Sequence, residues 1–280
     1  MNLLSFSIGF DENDLVVQRF KDQSSGCLLF KSVDVVNCLE HDYIKSVREG
    51  FHAYAVNHRG YGYWYWKPFI VMSKLNRLKD GEILLYADIG CEFSKFGDAQ
   101  LLDFMDLLDQ QSIVANITNK RYTEEMYTKK SLLDQFQLEV SDVKSPQIAA
   151  TWILMKVDDD SRRFVKEWLD LCGVNRFKNI DDSLTNREEP QFIEHRHDQS
   201  VFSCLFKRYG FVPLRVRDWF PAYLYYQGSP VAFNFIHALR NRTKNTVLLD
   251  RFYPPVPSLV SRLYYEFRFL FFRVYDRLFR

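Results

Sequence analysis

Six short apolar runs alternate with helical patterns over the first half of the chain, and this alternation constrains the fold most. The runs are Leu3–Ile8, Cys27–Lys31, Ala53–Val56, Glu82–Tyr86, Ile113–Asn116 and Thr151–Lys156. Each has the length of a buried strand and is too short for a core helix. Helical spacing is expected over Val35–Glu49, Pro68–Leu78, Gln100–Asp109, Ser131–Gln137, Ser161–Cys172 and Gln199–Tyr209. Strands that alternate with helices build an α/β layer structure, with a largely parallel sheet flanked by helices. Pro68 sits at a helix start, where its missing N–H costs nothing. Asp80-Gly81 is a turn that launches the next strand. The polar stretch 173–190 separates this half from a later block of charged segments.

Composition excludes several classes. Hydrophobic residues make up 47% and aromatic residues 16% of 280 positions, enough for a sizeable core and too apolar for a disordered chain. The formal net charge is +1, which argues against a generic nucleic-acid binder. Five widely spaced cysteines without a C-x-x-C pattern give neither a disulfide framework nor a zinc ribbon. The first nine residues carry no basic start and read as a strand rather than a signal peptide. No uncharged apolar run approaches the roughly 20 residues of a spanning helix. The expected setting is reduced and cytoplasmic.

The far end differs. Residues 258–280, SLVSRLYYEFRFLFFRVYDRLFR, carry five arginines and two acids, a net of +3. At 100° per residue, Arg262, Glu266, Arg273, Asp276, Arg277 and Arg280 share one arc, while most of the remaining circumference is Leu, Val, Phe and Tyr. Such a helix lies on an anionic membrane surface or docks on a partner; packing on the core is the alternative. Pro254-Pro255-Val256-Pro257 is a stiff spacer before it. The division expected is therefore a domain over 1–257 and an amphipathic basic helix over 258–280.

Four segments carry chemistry. In Leu84-Leu85-Tyr86-Ala87-Asp88-Ile89-Gly90-Cys91-Glu92 a buried strand ends in an acid, and ligands of open α/β sheets bind beyond strand carboxyl ends. Asp88 can hold a hard divalent cation through oxygen, and Gly90 lets a ligand approach the backbone. Arg59-Gly60-Tyr61-Gly62-Tyr63-Trp64-Tyr65-Trp66-Lys67-Pro68 joins aromatic faces and cations to a helix start, a place for phosphate. Glu194-His195-Arg196-His197-Asp198-Gln199-Ser200 opens another helix, where His195, His197 and Asp198 are candidates for a base or a ligand. His237 with Arg240, Arg242 and Lys244 forms a cationic cluster suited to a diphosphate. The bland alternatives are a capping Asp88, an aromatic core corner, a capping Asp198 and a solvated basic loop.

Taken in order, these segments resemble GT-A-type nucleotide-sugar glycosyltransferases, and more narrowly bacterial enzymes of capsule and O-antigen synthesis. The resemblance runs over roughly residues 50 to 210 and includes Gln147-Ile148-Ala149-Ala150. It implies a GT-A-like, Rossmann-like fold and a sugar passed from a nucleotide donor, a UDP-sugar, to a hydroxyl of a growing lipid-linked glycan. It implies that Lys67, Tyr63, Trp66, Asp88, Gly90, Arg240, Arg242 and Lys244 bind donor, and that His197 and Gln147 face acceptor. Asp198 and Gln199 take the catalytic place, Asp198 as base in an inverting enzyme or as a stabilising acid in a retaining one. A Mn²⁺ or Mg²⁺ ion is implied on Asp88, completed by Glu92 or His237, because the second acid of the family's D-x-D stands here as Gly90. That departure keeps two alternatives open, a non-catalytic carbohydrate-binding or assembly protein and a nucleotide-sugar hydrolase. The implied location is the inner face of the cytoplasmic membrane, with no nucleic-acid partner.

Overall fold

The computed structural model describes residues 1–7, 14–37, 58–93, 98–185, 188–214 and 236–237. Five strands form the central sheet: β1 (Asn2–Ser7), β2 (Ser32–Asn37), β3 (Ile83–Ala87), β5 (Ile113–Ile117) and β6 (Ile148–Lys156), in the order β2-β1-β3-β6-β5. β1 runs parallel to β2 and β3, while β6 is antiparallel to both β3 and β5. The sheet is thus mixed: β1, β2, β3 and β5 run one way, as expected of a mostly parallel sheet, and β6 enters against its neighbours. A separate two-stranded ladder pairs β4 (Glu92–Phe93) with β7 (Ile236–His237).

Side chains alternate across the sheet with period two, and two cores result. Leu4, Phe6, Leu84, Tyr86, Ile153 and Met155 face one side. There they meet helices α2 (Trp66–Leu75), α7 (Asp159–Phe177) and α8 (Asp198–Arg208) through Ile70, Phe164, Trp168, Phe202 and Phe206. Leu3, Leu85, Ala87, Val114 and Leu154 face the other side. They cover Phe20 of α1 (Leu15–Ser25) and Leu101 and Phe104 of α3 (Asp98–Asp106). Three shorter helices, α4 (Glu124–Tyr127), α5 (Lys130–Phe136) and α6 (Val140–Val143), bridge β5 to β6.

Four of the six expected strands lie within two or three residues of an observed one. Cys27–Lys31 does not: it is a turn, and the strand follows at Ser32–Asn37, overlapping the start of the expected Val35–Glu49 helix. The strand wins there because β1 supplies a continuous parallel partner from Asn2↔Ser32 to Ser7↔Asn37. Ala53–Val56 and residues 38–49 lie outside the described residues, as do the Pro254–Pro257 spacer, the 257/258 division and the 258–280 helix. Helix α1 has no counterpart among the expected helices, although Asp14 caps it by accepting from the Val16 N–H at 2.9 Å. Among the described residues no helix is long and apolar enough to cross a membrane. The cysteines described, Cys27, Cys91, Cys172 and Cys204, are buried thiols.

Helix α7 begins with a complete capping box, in which the Asp158 carboxylate accepts the Ser161 N–H at 2.8 Å and the Ser161 hydroxyl lies 3.1 Å from the Asp158 N–H. The same carboxylate accepts from Ser112 Oγ at 2.8 Å, which ties the helix start to the loop before β5. Asp158→Ala is expected to lower stability by about 1–2 kcal/mol in urea denaturation, and Asp158→Asn, which keeps the capping oxygen, by less than half of that loss. Equal losses for the two variants would show that the cap itself contributes little.

Candidate active site

Strand β3 ends at Ala87, and the next residue, Asp88, stands at the carboxyl edge of the sheet. Its N–H is fixed by Thr151 O at 2.9 Å, and the turn closes when Cys91 N–H reaches Asp88 O at 2.8 Å. From below, the Arg19 guanidinium donates to Ile89 O at 2.9 Å and to Cys91 O at 3.4 Å. Arg19 also lies 3.5 Å from Glu92, which is fully buried. Tyr86 donates its hydroxyl to Asp88 Oδ1 at 2.5 Å; burial pushes its phenol well up, with the Asp88 charge adding to the effect, so it stays a donor.

Helix α2 brings Lys67 to this point. Its Nζ donates to Ala150 O at 3.1 Å and lies 3.2 Å from Asp88 Oδ1 and 3.3 Å from Asp198 Oδ2. Burial alone would drive the ammonium toward its neutral form. Asp198 and Asp88 outweigh that and raise its pKa, so the charge persists. Asp198 opens α8, anchored through its carbonyl, which accepts from Trp168 Nε1 at 3.1 Å. Its carboxyl is pushed up to about 6, chiefly by burial, with Asp88 adding to the rise and Lys67 opposing it. Asp198 Oδ2 is buried without a well-directed hydrogen-bond donor among the described residues, Lys67 meeting it as an ion pair.

The aromatic segment forms an unusual support. From Gly60 to Trp64 every residue has positive φ, a turn of left-handed backbone. A Cβ on Gly60 would come within 2.4 Å of the Trp64 ring, so glycine is required there twice over. The turn is held by Trp66 Nε1, which donates to Gly60 O at 3.0 Å, while the Trp66 ring stacks on Phe6 at 4.0 Å. The Tyr63 and Trp64 rings stack on His197 at 4.9 and 5.4 Å. His197 itself has φ 54° and ψ −123°. For non-glycine residues such conformations cost on the order of 1–3 kcal/mol each.

These parts enclose a cavity of about 740 Å³. Its floor holds Lys67, Asp88 and Asp198; its walls include Trp64, Arg59, Arg196, Gln199 and Gly90. Arg59 and Arg196 each approach Glu194 at 3.7 Å. Arg196 also covers the Tyr127 and Tyr122 rings at 3.9 and 4.3 Å.

The sequence candidates divide accordingly. Lys67, Trp66, Asp88, Gly90, His197, Asp198 and Gln199 line one cavity. Tyr63 is buried behind it, against His197. Gln147 is fully buried and reaches the cavity only through Gln199, whose Nε2 donates to Gln147 Oε1 at 2.9 Å. His195 is spent on structure: Nε2 pairs with Asn179 O at 2.9 Å, and Nδ1 faces the Lys129 N–H at 3.4 Å. That fixes a neutral tautomer, and burial holds its pKa well down. His197 pairs Nδ1 with Ile180 O at 2.7 Å, which leaves Nε2 buried without a hydrogen bond. Arg240, Arg242 and Lys244 lie outside the described residues. β7 puts His237 opposite Glu92 in the ladder, but its side chain is not among those described. Arg19, Tyr86 and Trp168 support the site without being sequence candidates; for Arg19 the signal is the Asp14 cap ahead of Val16, Val17 and Phe20.

The described residues do not fit a divalent cation. No three His, Cys, Asp or Glu side chains gather among them. Glu92 is turned to Arg19, and the place between Asp88 and Asp198 is filled by an ammonium.

Neither a known family profile nor a curated protein matches the sequence. Solved structures do match in fold. The bifunctional glycosyltransferase WbbM, in its apo structure, aligns over 95% of this chain and 51% of its own, at 12% identity and a TM-score of 0.50. The galactosyltransferase LgtC, solved with donor and acceptor sugar analogues, aligns over 94% and 99% at 12% identity, TM-score 0.47. Mouse xyloside xylosyltransferase 1 aligns over 88% and 99% at 12% identity, TM-score 0.43. The chain therefore has the GT-A glycosyltransferase fold, a mixed five-stranded sheet flanked by helices.

Proposed function

We propose that the protein transfers a sugar from a nucleotide-sugar donor, a UDP-sugar first among them, to a hydroxyl of an acceptor glycan. One observation carries this reading above the others: Lys67, Asp88 and Asp198 meet in one cavity at the sheet's carboxyl edge, with Asp198 as the acid whose pKa is raised. In the transfer, the bond from the anomeric carbon to the diphosphate oxygen breaks and its electron pair leaves with the diphosphate. The acceptor oxygen bonds to that carbon, and its proton passes to Asp198. A carboxylate raised to about 6 is a stronger base than an exposed one and is still largely ionised at neutral pH.

Lys67 holds both acids in register, and Asp88 orders the turn against which the donor lies. Arg59 and Arg196 are the cations on the cavity wall toward a departing diphosphate. No step is routed through a metal. The finer reading is an acceptor carried on a lipid at the inner face of a bacterial cytoplasmic membrane, within capsule or O-antigen synthesis. It is supported by the basic amphipathic sequence 258–280.

Three outcomes are expected. UDP should raise the melting temperature, since a ligand of the native state stabilises it; failure of every nucleoside diphosphate to do so would sink the transfer reading. Asp88→Asn should cut transfer by on the order of a hundredfold while circular dichroism stays native. Finally, kcat/KM should rise with pH through about 6, as Asp198 loses its proton. The stability term runs the other way. The folded pKa lies above the unfolded value of 3.8, so Asp198 disfavours the fold increasingly as pH climbs from about 4 to about 6. A flat rate profile across pH 5–7 would remove Asp198 as the base.

A further inference from the structure

We infer that buried Glu124, remote from the cavity, is a positioning residue that sets which end of the Gln199 amide faces the substrate. The inference rests on the transfer reading for its consequence but not for its geometry. Glu124 is fully buried on α4 and pairs with Lys207 Nζ at 2.8 Å. Its Oε1 also accepts from Ser203, and its Oε2 from Thr128 Oγ1 at 2.6 Å and from Gln147 Nε2 at 3.2 Å.

Beside the Lys207 ammonium the Glu124 carboxylate accepts from each of these neighbours, so the Gln147 end that faces it is the NH₂. The other neighbours of that end agree. Tyr127 O, at 3.2 Å, is an acceptor. The Thr128 hydroxyl, at 3.0 Å, has given its proton to Glu124. The Ser200 hydroxyl, at 3.1 Å, has given its proton to Tyr127 O at 2.8 Å. All four are thus acceptors, of which the two N–H bonds serve two, and Gln147 cannot turn over beside the Glu124 carboxylate without facing acceptors with its oxygen.

Gln147 Oε1 is thereby fixed toward Gln199, which answers with Nε2 at 2.9 Å. The Gln199 carbonyl oxygen is left for the cavity that Gln199 lines. One buried charge thus sets the polarity of two successive amides. The substrate meets an acceptor oxygen beside Asp198, suited to a sugar hydroxyl or to positive charge developing at the anomeric carbon. A reversed amide would present NH₂ there, from which a hydroxyl can accept but which opposes the developing positive charge.

The test uses charge complementarity. In Gln199→Glu the new carboxylate meets Gln147 Oε1, two acceptors face to face, so the introduced carboxyl should keep its proton well above the ordinary glutamate pKa of about 4.3. Adding Glu124→Gln gives Gln147 an amide NH₂ to face. The new amide and the Thr128 and Ser200 hydroxyls can then all donate, and only Tyr127 O cannot, so Gln147 turns and donates to the carboxylate at position 199, whose pKa should fall back. The readout is the signal of that introduced carboxyl in ¹³C NMR across pH, which needs no substrate. If the loss of the Lys207 partner prevents folding, the triple variant with Lys207→Met removes the buried charge pair as a unit and is read in the same way. The same pKa with and without Glu124→Gln would overturn the proposal. With a UDP-sugar that turns over, Glu124→Gln alone should lower kcat by about tenfold to a hundredfold at unchanged donor KM, and unchanged kcat would overturn it. If no nucleotide sugar turns over, the transfer reading fails while the NMR comparison still decides the polarity.

Discussion

A single ammonium, Lys67, holds the site together. Two carboxylates, Asp88 and Asp198, reach the same buried point from a strand end and a helix start. Without a cation between them the two carboxylates would repel, because like charges in a low dielectric interact strongly. Burial works against Lys67 as well, and only the pair of acids keeps it charged. Each member is thus tolerable because the others are present, and removal of Lys67 or Asp198 leaves a buried charge without its partner. The arrangement couples β3, α2 and α8, which is why the site sits where those three elements converge.

Strain is concentrated around that point. The described non-glycine residues with positive φ are Tyr61, Tyr63, Trp64, Gln137, Asn175, Arg176, Phe177 and His197. All but Gln137 fall in three segments that touch one another. Tyr63 and Trp64 stack on His197, and Tyr65 meets Phe177 edge to face at 4.9 Å. Unfavourable backbone persists only where its surroundings fix it. Here aromatic stacking does so, backed by the Trp66-to-Gly60 hydrogen bond. The left-handed turn sets Trp64 at the cavity wall while Tyr63 becomes core and Trp66 joins the two, so a run of neighbouring aromatics serves two purposes.

What is legible in the sequence follows from range. Asp88 stands at the end of a buried run and Asp198 at the head of an apolar helix, and both signals are local. The turn at Cys27–Lys31 misleads because its apolar residues mimic a strand, while the true strand, Ser32–Asn37, contains Asp34 and Asn37 and is specified by its partner β1. The antiparallel entry of β6 has no local signal, since strand direction depends on the path of the chain between β5 and β6. Gln147 is visible as a candidate, but its partners are Glu124, 23 residues before it, and Ser200, 53 residues after it. Nothing in a window of a dozen residues shows that Glu124 is buried or that its charge is answered by Lys207.

The absence of a second acid at Gly90 gains a physical meaning from this geometry. A carboxylate there would stand two residues from Asp88 and add a further negative charge near Asp198, where Lys67 already answers two. Glu92 is not available to move in, because Arg19 uses it to anchor the turn from below. Glycine keeps the charge in balance and leaves its backbone open to the cavity.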